Sequence, residues 1–246
     1  MVNDTCLGAI MTQGIERLEI PRGYDTRLDP MPKLVLFDLD NTVCDHATSR
    51  SLRVRHAFGP FIADEEDLDH AVRDAVVRSS EGTAHFAEVL GHFGADDNAA
   101  AEARERYVSD RYRGLELFGD ALVVIEKVKQ VASIGMITNG PTAIQQPKID
   151  LLQIEHLFPF ILISESVGIW KPDPAIFHMA LEKAGLTAED AIYVGDSPIA
   201  DVPGAKAAGM RSVWINCAGI DWPGDEPPDI EIRDLSELLL SLGIEL

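Results

Sequence analysis

The chain has 246 residues, and its 21 Lys and Arg side chains face 41 Asp and Glu, which gives a formal charge of −20 at pH 7. Such an excess of acidic residues excludes a protein that binds nucleic-acid polymers or anionic lipid through a broad basic surface. With 46% hydrophobic residues the chain can bury a core, so we expect a globular protein, a monomer or homodimer, with one large or two smaller domains.

Residues 1–31 differ in pattern from the rest of the chain and are expected to form an N-terminal extension. They carry scattered charges and lack the cleavage pattern of a secretory signal. Pro30 and Pro32 flank Met31, and an apolar segment follows almost at once. We therefore expect Met31 to be the natural start of the protein.

From residue 33 onward, short apolar segments alternate with helical patterns. The apolar segments are continuous, as in strands buried on both faces of a parallel sheet. The predicted strands are Leu34–Phe37, Ser133–Ile137, Ile161–Ile163, Ala191–Val194 and Ser212–Ile215. The predicted helices between and after them are Ala121–Val131, Thr142–Leu152, Pro174–Ala184, Ile199–Ala208 and Leu235–Leu242. This alternation predicts an α/β fold with a Rossmann-like parallel sheet and helices on both faces.

One long segment interrupts the alternation. Roughly ninety residues separate the first two predicted strands, far more than one crossover helix needs. Helical patterns fill this segment, at Ser49–Phe58, Asp64–Ser79, Thr83–Phe93 and Asn98–Arg113. We predict a helical cap domain at residues 48–115, inserted into a Rossmann-like core formed by residues 32–47 and 116–246.

The basic residues of the predicted cap are all arginines, nine in number. Arginine suits bidentate recognition of carboxylate or phosphate groups, so one or two of these side chains could face a substrate. Glu102 and Arg106, however, are spaced to pair on a helix surface. We expect most of the cap arginines to lie on solvated helix faces.

Polar residues follow four of the five predicted strands. The segments are residues 38–42, 138–140, 165–173 and 195–201. Ligands of an open α/β sheet bind at the carboxyl ends of its strands, which is where these residues would lie. A single Asp or Thr there is commonly a turn or helix-cap residue, but four such segments at one edge predict an active site.

These segments, in this order, resemble the four motifs of the haloacid dehalogenase superfamily. The DxDxT motif corresponds to residues 38–42, and the Thr of the second motif to Thr138. The lysine of the third motif corresponds to Lys171, and the GDxxxxD motif to residues 195–201. The resemblance implies a hydrolase whose helical cap closes over the site and chooses the substrate.

The residue types in these motifs suit phosphoryl transfer. Asp38 can attack phosphorus and form an aspartyl-phosphate, while Asp40 can protonate the leaving oxygen and then deprotonate the attacking water. Lys171 would place positive charge against the phosphoryl oxygens. Thr138 and the backbone of Asn139, together with that of the next residue, would bind the remaining oxygens.

A cation is needed as well, because a carboxylate nucleophile and a phosphate dianion repel each other. Asp38 and Asp196, with the backbone carbonyl of Asp40, would suit Mg²⁺, which binds few carboxylates and keeps several waters. Asp201 is expected to orient Lys171 or the waters of the metal. We therefore expect Mg²⁺ as the cofactor.

Asp40 bears on the reaction, because halide-releasing members of the superfamily lack this second aspartate. A phosphatase of a small phosphorylated metabolite is therefore expected. Residues 134–140, 163–168 and 213–216 resemble 5′-nucleotidase-like members, and similar stretches occur in acylneuraminate-9-phosphatases. A nucleoside monophosphate is the first expected substrate. A sugar-phosphate phosphatase and a phosphomutase or phosphotransferase are alternatives, and a dehalogenase or a non-catalytic binding protein is less favoured.

The compartment is indicated by the cysteines and the apolar stretches. Cys6, Cys44 and Cys217 show no CxxC spacing, which argues against a disulfide framework or zinc cluster and favours a reducing compartment. The apolar stretches are too short to cross a bilayer, so no membrane partner is expected. We expect a cytoplasmic protein.

Overall fold

The computed structural model describes residues 28–78 and 82–245. Its strands are β1 Leu34–Phe37, β2 Ser133–Thr138, β3 Ile161–Ile163, β4 Ala191–Gly195, β5 Arg211–Ile215 and β6 Ile230–Ile232. They form one parallel sheet in the order β3-β2-β1-β4-β5-β6. The predicted α/β fold with a Rossmann-like parallel sheet is confirmed, and the five predicted strands occur within one residue of their expected bounds.

The helices of the described chain are, in order, α1 His46–Phe58, α2 Glu65–Val77, α3 Phe86–His92, α4 Asp97–Ser109, α5 Ala121–Val128, α6 Thr142–Leu152, α7 Ser164–Val167, α8 Pro174–Ala184, α9 Asp201–Ala207 and α10 Glu237–Ser241. Helix α8 has the predicted start, since the Asp173 side chain accepts from the Ala175 N–H at 2.9 Å. Gly185, directly after the last residue of the helix, adopts the left-handed conformation. Helix α7 and strand β6 were not predicted.

The order of the strands reverses at β1, which lies between β2 and β4. Leu34 of β1 aligns with Ser133 of β2 on one side and with Ala191 of β4 on the other. The crossovers on the two sides of β1 run in opposite directions, and right-handed crossovers therefore place helices on both faces of the sheet. Ligands bind at the carboxyl ends of the strands at such a reversal, where Asp38 follows β1 and Asp196 follows β4.

Contacts between residues divide the chain into two compact units. A helical unit spans His46–Glu116, and a sheet unit contains described residues 28–45 and 117–245. Residues 1–27, and with them most of the predicted N-terminal extension, lie outside the described residues. No helix of the described chain is long and apolar enough to cross a membrane.

Each unit has its own apolar core. In the helical unit, Phe86 packs edge-on against Phe58 and Tyr107, with ring centroids 4.8 and 5.3 Å away. In the sheet unit, Phe177 of α8 packs edge-on against Tyr193 of β4 at 4.9 Å. These buried rings anchor helices to their neighbours by apolar contact.

Arginines of the helical unit take two kinds of position. Arg106 lies 3.9 Å from Glu102 in the expected surface pair along α4. Arg53 instead is buried: its guanidinium lies 3.9 Å above the Tyr107 ring, and Nη2 donates to the Tyr107 carbonyl at 3.2 Å. Arg53 therefore ties α1 to the end of α4.

The packing around β2 can be tested by comparing two glycines with different surroundings. A Cβ at Gly135 of β2 would lie 2.4 Å from the Phe160 ring and 2.9 Å from Leu36, whereas a Cβ at Gly91 of α3 would meet open space. We expect Gly135→Ala to lower the free energy of unfolding by about 1–3 kcal/mol through overpacking. We expect Gly91→Ala to raise it by about 0.5–1 kcal/mol. Urea unfolding measures both, and a Gly135→Ala variant as stable as the wild type would contradict the packing.

Candidate active site

A tight turn after β1 presents two carboxylates in different surroundings. The Cys44 N–H donates to the Leu39 carbonyl at 3.1 Å, and Asn41 adopts a left-handed backbone with φ of 58°, which Asn tolerates better than most residues. Asp38, at the strand end, is only 6% exposed. The Asp40 side chain, two residues later, is 24% exposed. The turn thus separates a buried carboxylate from a more accessible one.

The Lys171 ammonium is buried among acceptors. Its Nζ donates to Asp38 Oδ1 at 2.6 Å, to Asp201 Oδ1 at 2.7 Å and to the Tyr193 hydroxyl at 2.8 Å, with a longer contact to the Ile137 carbonyl at 3.2 Å. Burial by itself lowers the pKa of Lys171, but the Asp201 and Asp38 carboxylates raise it above the ordinary value. The lysine therefore stays charged and holds the two carboxylates together.

Asn139 fixes the backbone at Lys171. Its Nδ2 donates to the Lys171 carbonyl and its Oδ1 accepts from the Lys171 N–H, both at 2.9 Å. The amide side chain thus joins the end of β2 to the loop that carries the lysine, whereas the sequence prediction for Asn139 concerned its backbone N–H as a phosphate-binding group.

The other polar groups after β2 contact protein donors and acceptors. Thr138 Oγ1 accepts from Gln145 Nε2 at 2.6 Å, and the Gly140 N–H donates to the Ser164 hydroxyl at 2.9 Å. Thr138 is almost fully buried. Two of the groups expected to bind phosphate, the Thr138 hydroxyl and the Gly140 N–H, therefore already form hydrogen bonds within the protein.

Three carboxylates meet where β1 and β4 end. Asp38, Asp196 and Asp201 each offer an oxygen, and these oxygens lie within 4.8 Å of one another. Burial raises the pKa of Asp196 well above the ordinary range, and the Asp201 and Asp38 charges raise it further. Burial also raises the pKa of Asp38, in opposition to Lys171. A cation in addition to the Lys171 ammonium would reduce the electrostatic repulsion among these three carboxylates.

The donor set fits Mg²⁺, because the clustered ligands are all oxygens. Asp201 uses both of its oxygens on protein donors, Oδ1 on Lys171 and Oδ2 on the Ser197 N–H at 2.8 Å. Asp196 Oδ2 accepts from Asn41 Nδ2 at 3.2 Å. Asp38 and Asp196 are thus better suited than Asp201 to hold a metal, while Asp201 is positioned to orient the lysine.

Gly195 admits this arrangement. A Cβ at this position would lie 2.3 Å from Asp201 Oδ2 and 2.8 Å from Asp201 Cβ. No side chain fits between the end of β4 and the first residue of α9. The glycine of the GDxxxxD motif is explained by this close approach.

Three further residues of the site lie outside the four motifs and were not predicted. Lys148 Nζ donates to both Asp40 oxygens at 2.7 Å, Gln145 Nε2 donates to Asp40 Oδ2 at 3.1 Å, and the Tyr193 hydroxyl accepts from Lys171. Tyr193 lies in a strand of core residues. Gln145 and Lys148 are polar residues spaced three apart on the helix that follows the second motif, so they share one face of it. This spacing was the one sequence feature that could have indicated their place in the site.

Comparison with known proteins places the chain in a family. Residues 32–209 match the family model described as haloacid dehalogenase-like hydrolase. A glyceraldehyde 3-phosphate phosphatase from Methanopyrus kandleri is 31% identical over 224 residues, which cover 85% of this chain and 96% of that protein. A phosphoserine phosphatase from Thermus thermophilus is 34% identical over 157 residues, or 63% of each chain, slightly less than two thirds.

A solved structure shows the same fold. The magnesium-bound hydrolase YfnB from Bacillus subtilis superposes with a TM-score of 0.72 at 23% identity, over 87% of this chain and all of that chain. This chain belongs to the haloacid dehalogenase-like hydrolases, and the resemblance of its four motifs to that family is confirmed.

The close approach of Asp38, Asp196 and Asp201 has a testable effect on the free energy of unfolding. Because folding raises the pKa of Asp196, its ionised form costs folding free energy once the pH exceeds the ordinary value. At pH 7 without divalent metal, Asp196→Asn should therefore stabilise the protein by about 0.5–2 kcal/mol. Thermal unfolding should also show that excess Mg²⁺ stabilises the wild type and not this variant.

The matched control is Asp190→Asn, at a surface aspartate that pairs with Lys33 at 2.9 Å. This variant should keep the full Mg²⁺ effect. An unchanged Mg²⁺ effect in Asp196→Asn would show that the metal binds elsewhere.

Proposed function

We propose that this chain is a Mg²⁺-dependent phosphatase that hydrolyses the phosphate monoester of a small metabolite through an aspartyl-phosphate at Asp38. The observation that carries the proposal is the 2.6 Å contact of Asp38 with the Lys171 ammonium, with a second carboxylate, Asp40, at the same strand end. A buried nucleophile beside a fixed positive charge, with an acid–base group nearby, is what phosphoryl transfer through a covalent intermediate requires.

In the first step, an Asp38 carboxylate oxygen attacks phosphorus, and the bond from phosphorus to the ester oxygen breaks. The proton of the Asp40 carboxyl passes to that ester oxygen, so the alcohol leaves in neutral form. The Lys171 ammonium, held by Asp201, balances negative charge at the phosphoryl group.

In the second step, water attacks the phosphorus of the aspartyl-phosphate. Its proton passes to the Asp40 carboxylate, the bond between phosphorus and the Asp38 oxygen breaks, and phosphate leaves. Asp40 ends protonated and Asp38 ionised, as both began, so the cycle is complete.

Asp38 and Asp196, with the Asp40 carbonyl, are the groups we propose to hold Mg²⁺. When bound, the metal would offset the repulsion between the Asp38 carboxylate and the phosphate dianion. Asp201 would act through Lys171, which it contacts at 2.7 Å, and not as a ligand.

The choice of a phosphatase has two supports. Asp40 supplies the acid that a departing alkoxide needs, and relatives at 31% and 34% identity bear the names of phosphatases. A nucleoside monophosphate is the first substrate to test, with glyceraldehyde 3-phosphate, phosphoserine and sugar phosphates as alternatives. A phosphorylated isomer in place of free phosphate would instead identify a phosphomutase.

Phosphate release from a panel of these metabolites and from p-nitrophenyl phosphate tests the activity. We expect turnover with Mg²⁺ and loss of turnover with a chelator, because the carboxylate cluster repels the phosphate without the metal. A chelator that left the rate unchanged would overturn the metal dependence, and a panel without any phosphate release would overturn the phosphatase.

Asp38→Asn tests the nucleophile. Because an amide is a very poor nucleophile at phosphorus, turnover should fall by about 10³-fold or more. Asp173→Asn is the control, since Asn caps a helix as well as Asp does and this variant should keep wild-type turnover. Substantial activity in Asp38→Asn would remove Asp38 from the proposed role.

A further inference from the structure

We propose that Lys148 and Gln145 are positioning residues that hold the Asp40 carboxylate in place for its two proton transfers. The inference rests on the phosphatase function proposed above and adds to it a pair of residues outside the four motifs. Both side chains project from α6, the helix that follows β2.

The contacts to Asp40 engage both of its oxygens. Lys148 Nζ lies 2.7 Å from Oδ1 and 2.7 Å from Oδ2, so the ammonium bridges the carboxylate. Gln145 Nε2 lies 3.1 Å from Oδ2, and the Cys44 thiol lies 3.7 Å from Oδ1. An aspartate whose two oxygens accept from Lys148 and Gln145 has little freedom to rotate about its side-chain bonds.

Burial sets Lys148 apart from an ordinary surface ion pair. Lys148 is 4% exposed, and the other buried lysine of the described chain, Lys171, lies in the active site. Lys129, which pairs with Glu126 at 2.9 Å, shows the surface case, with its side chain 34% exposed. Burying an ammonium is costly, so a lysine buried against a partly exposed catalytic carboxylate points to a role in the reaction.

Gln145 links this arrangement to the second motif. Its Nε2 donates both to Asp40 and to Thr138 Oγ1, the latter at 2.6 Å. A Cβ at Gly140 would lie 2.8 Å from the Gln145 Cγ, so the glycine makes room for the glutamine. The Gln145 amide thus fixes the position of the acid–base residue Asp40 relative to Thr138, a proposed phosphate-binding residue.

Position matters for Asp40 because it acts twice. It must reach the ester oxygen in the first step and the attacking water in the second, each within hydrogen-bond distance. Small displacements of a reacting group cost large factors in rate. Each of the two buried lysines contacts a different aspartate: Lys171 contacts the nucleophile Asp38, and Lys148 contacts the acid–base residue Asp40.

Kinetics of Lys148→Met on two substrates test the proposal. An alkyl phosphate needs Asp40 in both steps, so kcat should fall by about 10²-fold or more, with KM little changed. The p-nitrophenolate group leaves without protonation, so the first turnover of p-nitrophenyl phosphate should stay near the wild-type rate. The second step still needs Asp40, and a burst of close to one p-nitrophenolate per enzyme should precede slow turnover.

Companion variants separate positioning from folding. Lys148→Arg, which keeps a cation that can bridge a carboxylate, should recover part of the alkyl phosphate rate. Gln145→Met should show the same pattern as Lys148→Met with smaller losses of kcat. It tests the proposal in place of Lys148→Met if that variant folds poorly. Lys129→Met, at the surface pair, should behave as the wild type on both substrates.

The outcomes are distinguishable. Equal losses on both substrates without a burst, or wild-type kinetics, in folded Lys148→Met and Gln145→Met would overturn the positioning role alone. A wild-type protein that turned over neither substrate would overturn the phosphatase function and this inference with it.

Discussion

The contact of the Lys171 ammonium with Asp38 and Asp201 is the interaction on which the rest of the site depends. A parallel sheet brings the carboxyl ends of its strands to one edge, and this chain places three aspartates there. Removing one partner of a buried ion pair commonly costs 3–5 kcal/mol, because the remaining charge is left without compensation. The same lysine therefore offsets the negative charge of the neighbouring carboxylates, and in the proposed function it would also supply the positive charge that phosphoryl transfer needs.

The surrounding contacts keep that lysine in place. Asn139 holds its backbone, the Tyr193 hydroxyl accepts from its Nζ, and the absence of a Cβ at Gly195 lets Asp201 approach. The chain as a whole carries a formal charge of −20 at pH 7, yet two buried lysines of the described residues, Lys148 and Lys171, lie at this edge of the sheet. In the proposed function, these two ammonium groups would attract a single phosphate group locally despite the negative charge of the whole chain.

Much of the sheet was predictable because its strands are continuous apolar segments, such as Leu34–Phe37, flanked by polar turns. Strand β6 was not, because its middle residue, Glu231, is exposed and the strand has only three residues at the edge of the sheet. The aspartates of the motifs were predictable from their place after strands. Lys148 and Gln145 were not, because their contacts depend on how α6 is rotated against the turn that carries Asp40, which local sequence does not determine.

The most direct test of the account is to identify the phosphorylated residue. Enzyme mixed with substrate and quenched at once should be reduced with borohydride, which converts an aspartyl-phosphate to homoserine, and then mapped by peptide mass spectrometry. We expect homoserine at position 38 in the sample with substrate and not in the sample without it. Homoserine at another aspartate, or a phosphorylated residue of another type, would contradict the proposal that Asp38 is the nucleophile.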